Sequence, residues 1–70
     1  MMTAKDFKDF RSHMEMKQIE FGQWLSDRTG KNKPYSAPEI SAFESGRKNV
    51  PGIAQAAIYK FLLDRELEQK

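Results

Sequence analysis

The sequence predicts an all-α domain of four to five helices, and three observations carry that expectation. Apolar residues recur at three- and four-residue spacing through most of the chain. Helix-start and helix-stop residues punctuate these runs, with Thr3 and Ser36 at starts and Gly30 and Gly46 at ends. No stretch alternates apolar and polar residues as a half-buried strand would, and there is no internal repeat or low-complexity run. A chain of 70 residues is enough for one domain.

Thr3 suits an N-cap, and Asp6 suits the reciprocal half of a capping box. Ala4, Phe7, Phe10 and Met14 then share one side, giving a first helix over residues 4–14. Met14 and Met16 read as fillers of the core or of the helix junction. A second helix covers 17–28, with Gln18, Phe21, Gly22 and Leu25 on its inner side. Glycine inside a helix costs about 1 kcal/mol against alanine, so Gly22 predicts the close approach of another helix. Gly30 ends the run, and Lys31 to Pro34 reads as a polar, basic loop.

Ser36-Ala37-Pro38-Glu39 is the clearest start signal in the chain. Ser36 caps, Glu39 reaches back to the Ser36 N–H, and Pro38 stands in the first turn, where a missing donor costs little. Ile40 and Phe43 share a buried side, and Ala37, Pro38, Ser41 and Ala42 make the exposed one. Gly46 suits the left-handed position past the end, so the third helix covers 37–45. Pro51 and Gly52 open a fourth helix, 51–67, with a broad apolar stripe of Ile53, Ala54, Ala57, Ile58, Phe61 and Leu62. Residues 68–70 are expected to fray.

The net charge is +2, from 12 Lys and Arg against 10 Asp and Glu. Arg28, Lys31, Lys33, Arg47 and Lys48 outnumber Glu39 and Glu44 in the middle of the chain, a local +3 against −1 elsewhere. That excess suits either a polyanion or a solvated loop. The absence of cysteine excludes disulfides and thiolate metal sites and fits a reducing cytoplasm. His13 has no second histidine and reads as a surface residue. No apolar stretch approaches the ~20 residues that cross a bilayer. Lys5, Asp6, Lys8 and Asp9 make the start unlike a signal peptide. There is no Gly-rich phosphate loop, no nucleophile–base pair and no spaced ligand set, so no enzyme activity, cofactor, metal or small-molecule ligand is expected.

Met16-Lys17-Gln18-Ile19-Glu20-Phe21-Gly22-Gln23-Trp24-Leu25, followed by Tyr35-Ser36-Ala37-Pro38-Glu39-Ile40-Ser41-Ala42-Phe43-Glu44-Ser45-Gly46-Arg47-Lys48, resembles the helix-turn-helix of Cro and phage repressors, the Xre type. That family opens its second helix with Gln and places an apolar and then a small residue three and four positions later. Its recognition helix ends in Ile-Ser-x-x-Glu-x-Gly-Lys/Arg. Gln18, Phe21, Gly22, Ile40, Ser41, Glu44, Gly46 and Arg47 stand at those places. With the flanking helices the likeness covers nearly the whole chain, and it implies a lambda-repressor-like domain that binds double-stranded DNA. One departure is the stretch Ser26 to Pro34, which fills a turn the family keeps short. A longer turn would extend the second helix and lay Arg28, Lys31 and Lys33 along the phosphate backbone. Trp24 stands where the family is polar and is expected to cover this turn, near Tyr35.

The resemblance assigns base reading to Ala37, Pro38, Glu39, Ser41 and Ala42. It assigns phosphate contact to Lys17, Gln18, Ser36, Ser45, Arg47, Lys48 and Asn49, beside Arg28, Lys31 and Lys33. The base-reading set has little hydrogen-bonding reach. Ser41 can bond several bases, Ala37 or Ala42 can touch a thymine methyl, and Glu39 either accepts from a cytosine amino group or stays with its cap. DNA shape or the loops would then share the specificity. Gln18 fits a phosphate contact and a plain helix-start residue equally well. Arg47 and Lys48 fit a phosphate grip or a solvated loop. The family pairs an Arg of its first helix with the Glu of its recognition helix, which here gives a structural ion pair, Arg11 with Glu44.

Two functions fit the sequence. The first is a sequence-specific transcriptional regulator, a repressor or autoregulator, acting as a homodimer on a palindromic operator with half-sites about one helical turn apart. The dimer would form through the fourth helix and the C-terminal tail, where Ile58, Leu62, Leu63 and Leu67 exceed what one small core needs. The second is an antitoxin-like or accessory protein-interaction module, with the fourth helix in a partner's groove and Trp24 and Tyr35 as anchors. Salt separates the two, because only the first should weaken steeply with ionic strength.

Overall fold

The structure, a computed structural model, describes residues 2–68. Four helices follow in order: α1 (Ala4–His13), α2 (Gln18–Thr29), α3 (Ala37–Ser45) and α4 (Gly52–Glu68). There is no strand among the described residues.

Local chemistry sets most of these limits. The Thr3 hydroxyl accepts from the Asp6 N–H at 3.1 Å, and the Asp6 carboxylate accepts from the Thr3 N–H at 3.1 Å. This reciprocal pair satisfies two donors that a helix start leaves open. The reversal between α1 and α2 places Glu15 at φ 57, the left-handed region that a side chain disfavours. Arg11 Nη1 ties that reversal down by donating to the Met16 carbonyl at 3.0 Å. At the start of α2, Glu20 accepts from the Lys17 N–H at 2.8 Å.

Helix α2 passes Arg28 and stops at Thr29, where Gly30 turns left-handed at φ 73. Ser26 to Thr29 continues α2 one residue past its expected end at 28, so of the stretch Ser26 to Pro34 only 30–34 lies outside the helix. Ser26 is buried, with its hydroxyl donating to the Gln23 carbonyl at 3.0 Å. What separates α2 from α3 is the shorter segment 30–36. The fourth helix reaches Glu68, one residue past its expected end. Residues 69–70, which hold the rest of the expected fraying and the C-terminal tail of the expected dimer, lie outside the described residues.

The helices pack with α3 against both α1 and α2, and with α4 against α2. Phe7, Phe21, Leu25, Ile40 and Ile58 are fully buried. Aromatic rings dominate the interior. Phe7 lies 5.0 Å from Phe21 and edge-on to Phe43 at 5.8 Å, within the range where such pairs add stabilisation beyond area. Met14 and Met16 pack against this core as fillers. Met2 is buried too, although no periodic signal pointed to it.

Three expectations need correction here. Trp24 does not lie near Tyr35. It joins Phe10, Phe21 and Phe61, meeting Phe61 edge-on at 5.3 Å, so it seals α2 against α4 instead of covering the turn. Tyr35 packs on Phe43 and is only 6% exposed. Gly22 does permit a close approach, but of extended chain and not of a helix. A Cβ there would sit 2.0 Å from the Tyr35 carbonyl oxygen. Ile58 is fully buried and so cannot belong to an outer face of α4. The outer apolar residues of that helix are Ile53, Tyr59, Leu62, Leu63 and Leu67.

Candidate functional site

Helix α3 is short, so its two sides are set by few residues. Its inner side carries Ile40 and Phe43 into the core and Glu44 into a polar knot. Arg11 Nε and Nη2 meet the two carboxylate oxygens of Glu44, the second at 3.1 Å. Gln18 Nε2 adds a third donor to Glu44 Oε1 at 3.2 Å. The Glu44 side chain is 6% exposed, so this is a largely desolvated, fully partnered carboxylate. The expected ion pair is therefore present. The Gln18 side chain is thus turned toward Glu44, with one amide N–H committed to that carboxylate.

At the N-terminal end of α3 the expected capping box is present. The Ser36 hydroxyl accepts from the Glu39 N–H at 3.2 Å, and Glu39 Oε1 accepts from the Ser36 N–H at 3.0 Å. That backbone hydrogen bond chiefly holds the Glu39 carboxyl below its ordinary value. Lys31 Nζ lies 4.0 Å from the other Glu39 oxygen and 3.8 Å from the centre of the Tyr35 ring. Glu39 is thus ionised and engaged by the cap. The Ser36 hydroxyl is likewise taken up by the cap.

At the C-terminal end Gly46 turns left-handed at φ 81, and the chain folds back along the helix. The Lys48 N–H donates to the Ala42 carbonyl at 3.2 Å. This return buries Ala42 to 8% exposure, which corrects its expected place on the open face. The Ser45 hydroxyl donates to the Ala42 carbonyl at 3.2 Å and accepts from Arg47 Nε at 3.0 Å. Ser45 is accordingly a support for Arg47.

The outer side of α3 is left with Pro38, half-exposed Ala37 and Ser41, and a shallow depression of about 350 Å³ lined by Pro38, Glu39, Ala42, Arg47 and Lys48. Lys31 and Lys33 stand exposed in the segment before the helix, and Arg47, Lys48 and Asn49 stand exposed after it. Lys17 is exposed at the start of α2. Arg28 is not brought to this group. Its guanidinium lies 4.3 Å from the centre of the Trp24 ring and 4.9 Å from that of Phe61, on the seam between α2 and α4. Such stacking is favourable and occupies the cation. Trp24 stands one turn earlier in α2, at a four-residue spacing the sequence shows, while Phe61 comes from α4, which no spacing within α2 announces.

Among the described residues, no group of three or more His, Cys, Asp and Glu is placed to hold a metal ion. No helix among them is long and apolar enough to cross a membrane. No family model, curated protein or solved structure matches this chain.

Proposed function

We propose that this chain is a sequence-specific DNA-binding regulator of the Cro and phage-repressor helix-turn-helix type, with α3 as the helix that enters the major groove. One observation carries the reading. The small-residue outer side of α3 is bracketed by exposed cations, Lys31 and Lys33 before it and Arg47 and Lys48 after it. A major groove about 12 Å wide admits a helix, and phosphates line both of its edges. Cations at both ends of a helix whose outer side carries Ala37, Pro38 and Ser41 suit that geometry. Lys17 and the open N–H groups at the start of α2 add a further phosphate contact.

In this reading the protein acts as a homodimer through α4 on a two-fold operator. Tyr59, Leu63 and Leu67 follow one another at four-residue spacing and are all exposed, so they form a continuous apolar stripe. The same stripe favours the second reading, an interaction module whose partner covers α4. Trp24 and Tyr35 no longer serve as its anchors, since both pack within this chain.

Binding to a duplex enriched from a randomised pool, against a scrambled duplex and across a salt series, tests the proposal. Tight, salt-sensitive binding to the enriched duplex alone is expected. Arg47→Ala with Lys48→Ala should flatten the log–log salt slope by about 2 × 0.9 if each grips one phosphate. Equal weak binding to both duplexes, or none, overturns the reading in favour of the interaction module.

A further inference from the structure

Glu39 carries a negative charge into the basic surface around α3. Together with Arg47 and Lys48 it lines the depression there, and Lys31 Nζ lies 4.0 Å from its Oε2. The carboxylate is pinned in this place. Its Oε1 accepts from the Ser36 N–H at 3.0 Å and from the Ser36 hydroxyl at 3.2 Å. These two donors, and behind them Lys31 and Lys48, hold the Glu39 carboxyl below its ordinary value, so it is charged at neutral pH. Of the four cations that bracket α3, Lys31 is the one with a carboxylate in ion-pair reach among the described residues. Its ammonium is occupied further by the Tyr35 ring, 3.8 Å from the ring centre. A capping box needs only an oxygen acceptor at this position, which Gln also supplies. The charge is therefore more than the cap requires, and it stands among the cations that would meet a polyanion.

Resting on the DNA-binding reading above, we infer that Glu39 is a specificity-determining residue that acts by repulsion. It holds down sequence-independent binding, both as a fixed negative charge within the basic surface and by withholding Lys31 from phosphate. In a sequence-independent complex the basic surface rides on phosphates, and affinity is a sum over cations. A carboxylate fixed among those cations subtracts from the sum. In the specific complex α3 lies in the major groove, with its outer side over base edges and the phosphates at the margins. The same charge then stands farther from phosphate and costs less. Discrimination is a difference of two affinities, and a repulsive element aimed at the wrong partner enlarges it.

The experiment uses the full chain, a duplex enriched from a randomised pool and a scrambled duplex, across a salt series. Glu39→Gln keeps the cap acceptor and removes the charge. It should tighten binding to the scrambled duplex about fivefold, the upper range for one exposed charge pair. Binding to the enriched duplex should tighten by less, so the ratio of the two affinities falls. The freed Lys31 should grip one phosphate of the scrambled duplex and steepen its log–log salt slope by about 0.9. Lys31→Ala should remove that added slope in the Glu39→Gln background and change the slope little in the wild type. Equal tightening on both duplexes, or none on either, overturns the specificity role while leaving DNA binding standing. A slope loss of about 0.9 from Lys31→Ala in the wild type shows Lys31 already on phosphate and overturns the withholding. A wild-type chain that binds both duplexes equally weakly, or neither, overturns the DNA-binding reading and this inference with it.

Discussion

On its inner side α3 presents Ile40, Phe43 and the Glu44 carboxylate, all buried, with Glu44 held by Arg11 and Gln18. On its outer side it presents Pro38, Ser41 and Ser45, with Ala42 beneath them. The inner side spends its hydrogen-bonding groups on placing the helix. The outer side has few to spend, and its charge is moved to the two loops. A nine-residue helix has room for only one face of long polar side chains, and here they all serve the fold. This difference predicts that inner substitutions act on stability and outer ones on recognition.

Glu44→Ala is the harshest way to break the comparison. It leaves the Arg11 guanidinium largely buried without its carboxylate, and such a loss costs about 3–5 kcal/mol. A single core in a domain this small rarely supplies more than about 3–5 kcal/mol in total. Urea unfolding should therefore find Glu44→Ala mostly unfolded at room temperature. Arg11→Met with Glu44→Leu removes both charges and should recover much of the loss. A wild-type midpoint for Glu44→Ala would show that the knot contributes little.

Gly22→Ala acts one step away, on the spacing between α2 and the chain that leads into α3. The new Cβ would meet the Tyr35 carbonyl oxygen at 2.0 Å, and that oxygen belongs to backbone. Overpacking of this kind costs about 1–3 kcal/mol, against a helix-propensity gain of about 1 kcal/mol. The clash wins, so chemical denaturation should show a net loss. A more stable variant would mean that segment 30–36 shifts freely.

Much of this arrangement was legible in the residues, for a local reason. Capping boxes at Thr3 and Ser36 and left-handed glycines at 30 and 46 are read within a few residues of chain, so the limits of α1 and α3 follow from them. The Arg11–Glu44 pair was legible only through family likeness, since nothing local joins positions 33 residues apart. The positions whose surroundings were not foreseen each meet a partner outside their own helix, most of them far along the chain. Arg28 and Trp24 turn toward Phe61, Gln18 turns toward Glu44, and Ala42 is covered by the return of Lys48. Helical periodicity says which side a residue faces but not what arrives to cover it.

The Ser36 cap lies between the two sides of α3, and its effect should be intermediate. Ser36→Ala removes the acceptor for the Glu39 N–H and should cost about 1 kcal/mol in denaturation. The cap also predicts a pH dependence. Glu39 has its pKa lowered in the fold by the Ser36 N–H, so the unfolded chain holds its proton more tightly. Its contribution is present above the ordinary glutamate value, about 4.3, and is lost as pH falls through the lower folded value. Stability measured from pH 6 downward should fall less steeply in Glu39→Gln than in the wild type.

The smallest expected change in stability is the one that most sharpens the comparison. Arg47 and Lys48 are exposed, and Arg47 bonds only to the Ser45 hydroxyl among the described residues. The Lys48 bond to Ala42 runs through the backbone and survives a change of side chain. Arg47→Ala with Lys48→Ala should therefore stay within about 0.5 kcal/mol of wild type in urea, the usual range for surface positions. Under the proposed DNA-binding function the same variant should lose DNA affinity, because phosphate contact is a sum over cations at the margin. Glu44→Ala should lose binding only in proportion to the fraction unfolded. If the loop variant instead unfolds the domain, the cations are part of the scaffold and the two sides of α3 are not separate in function.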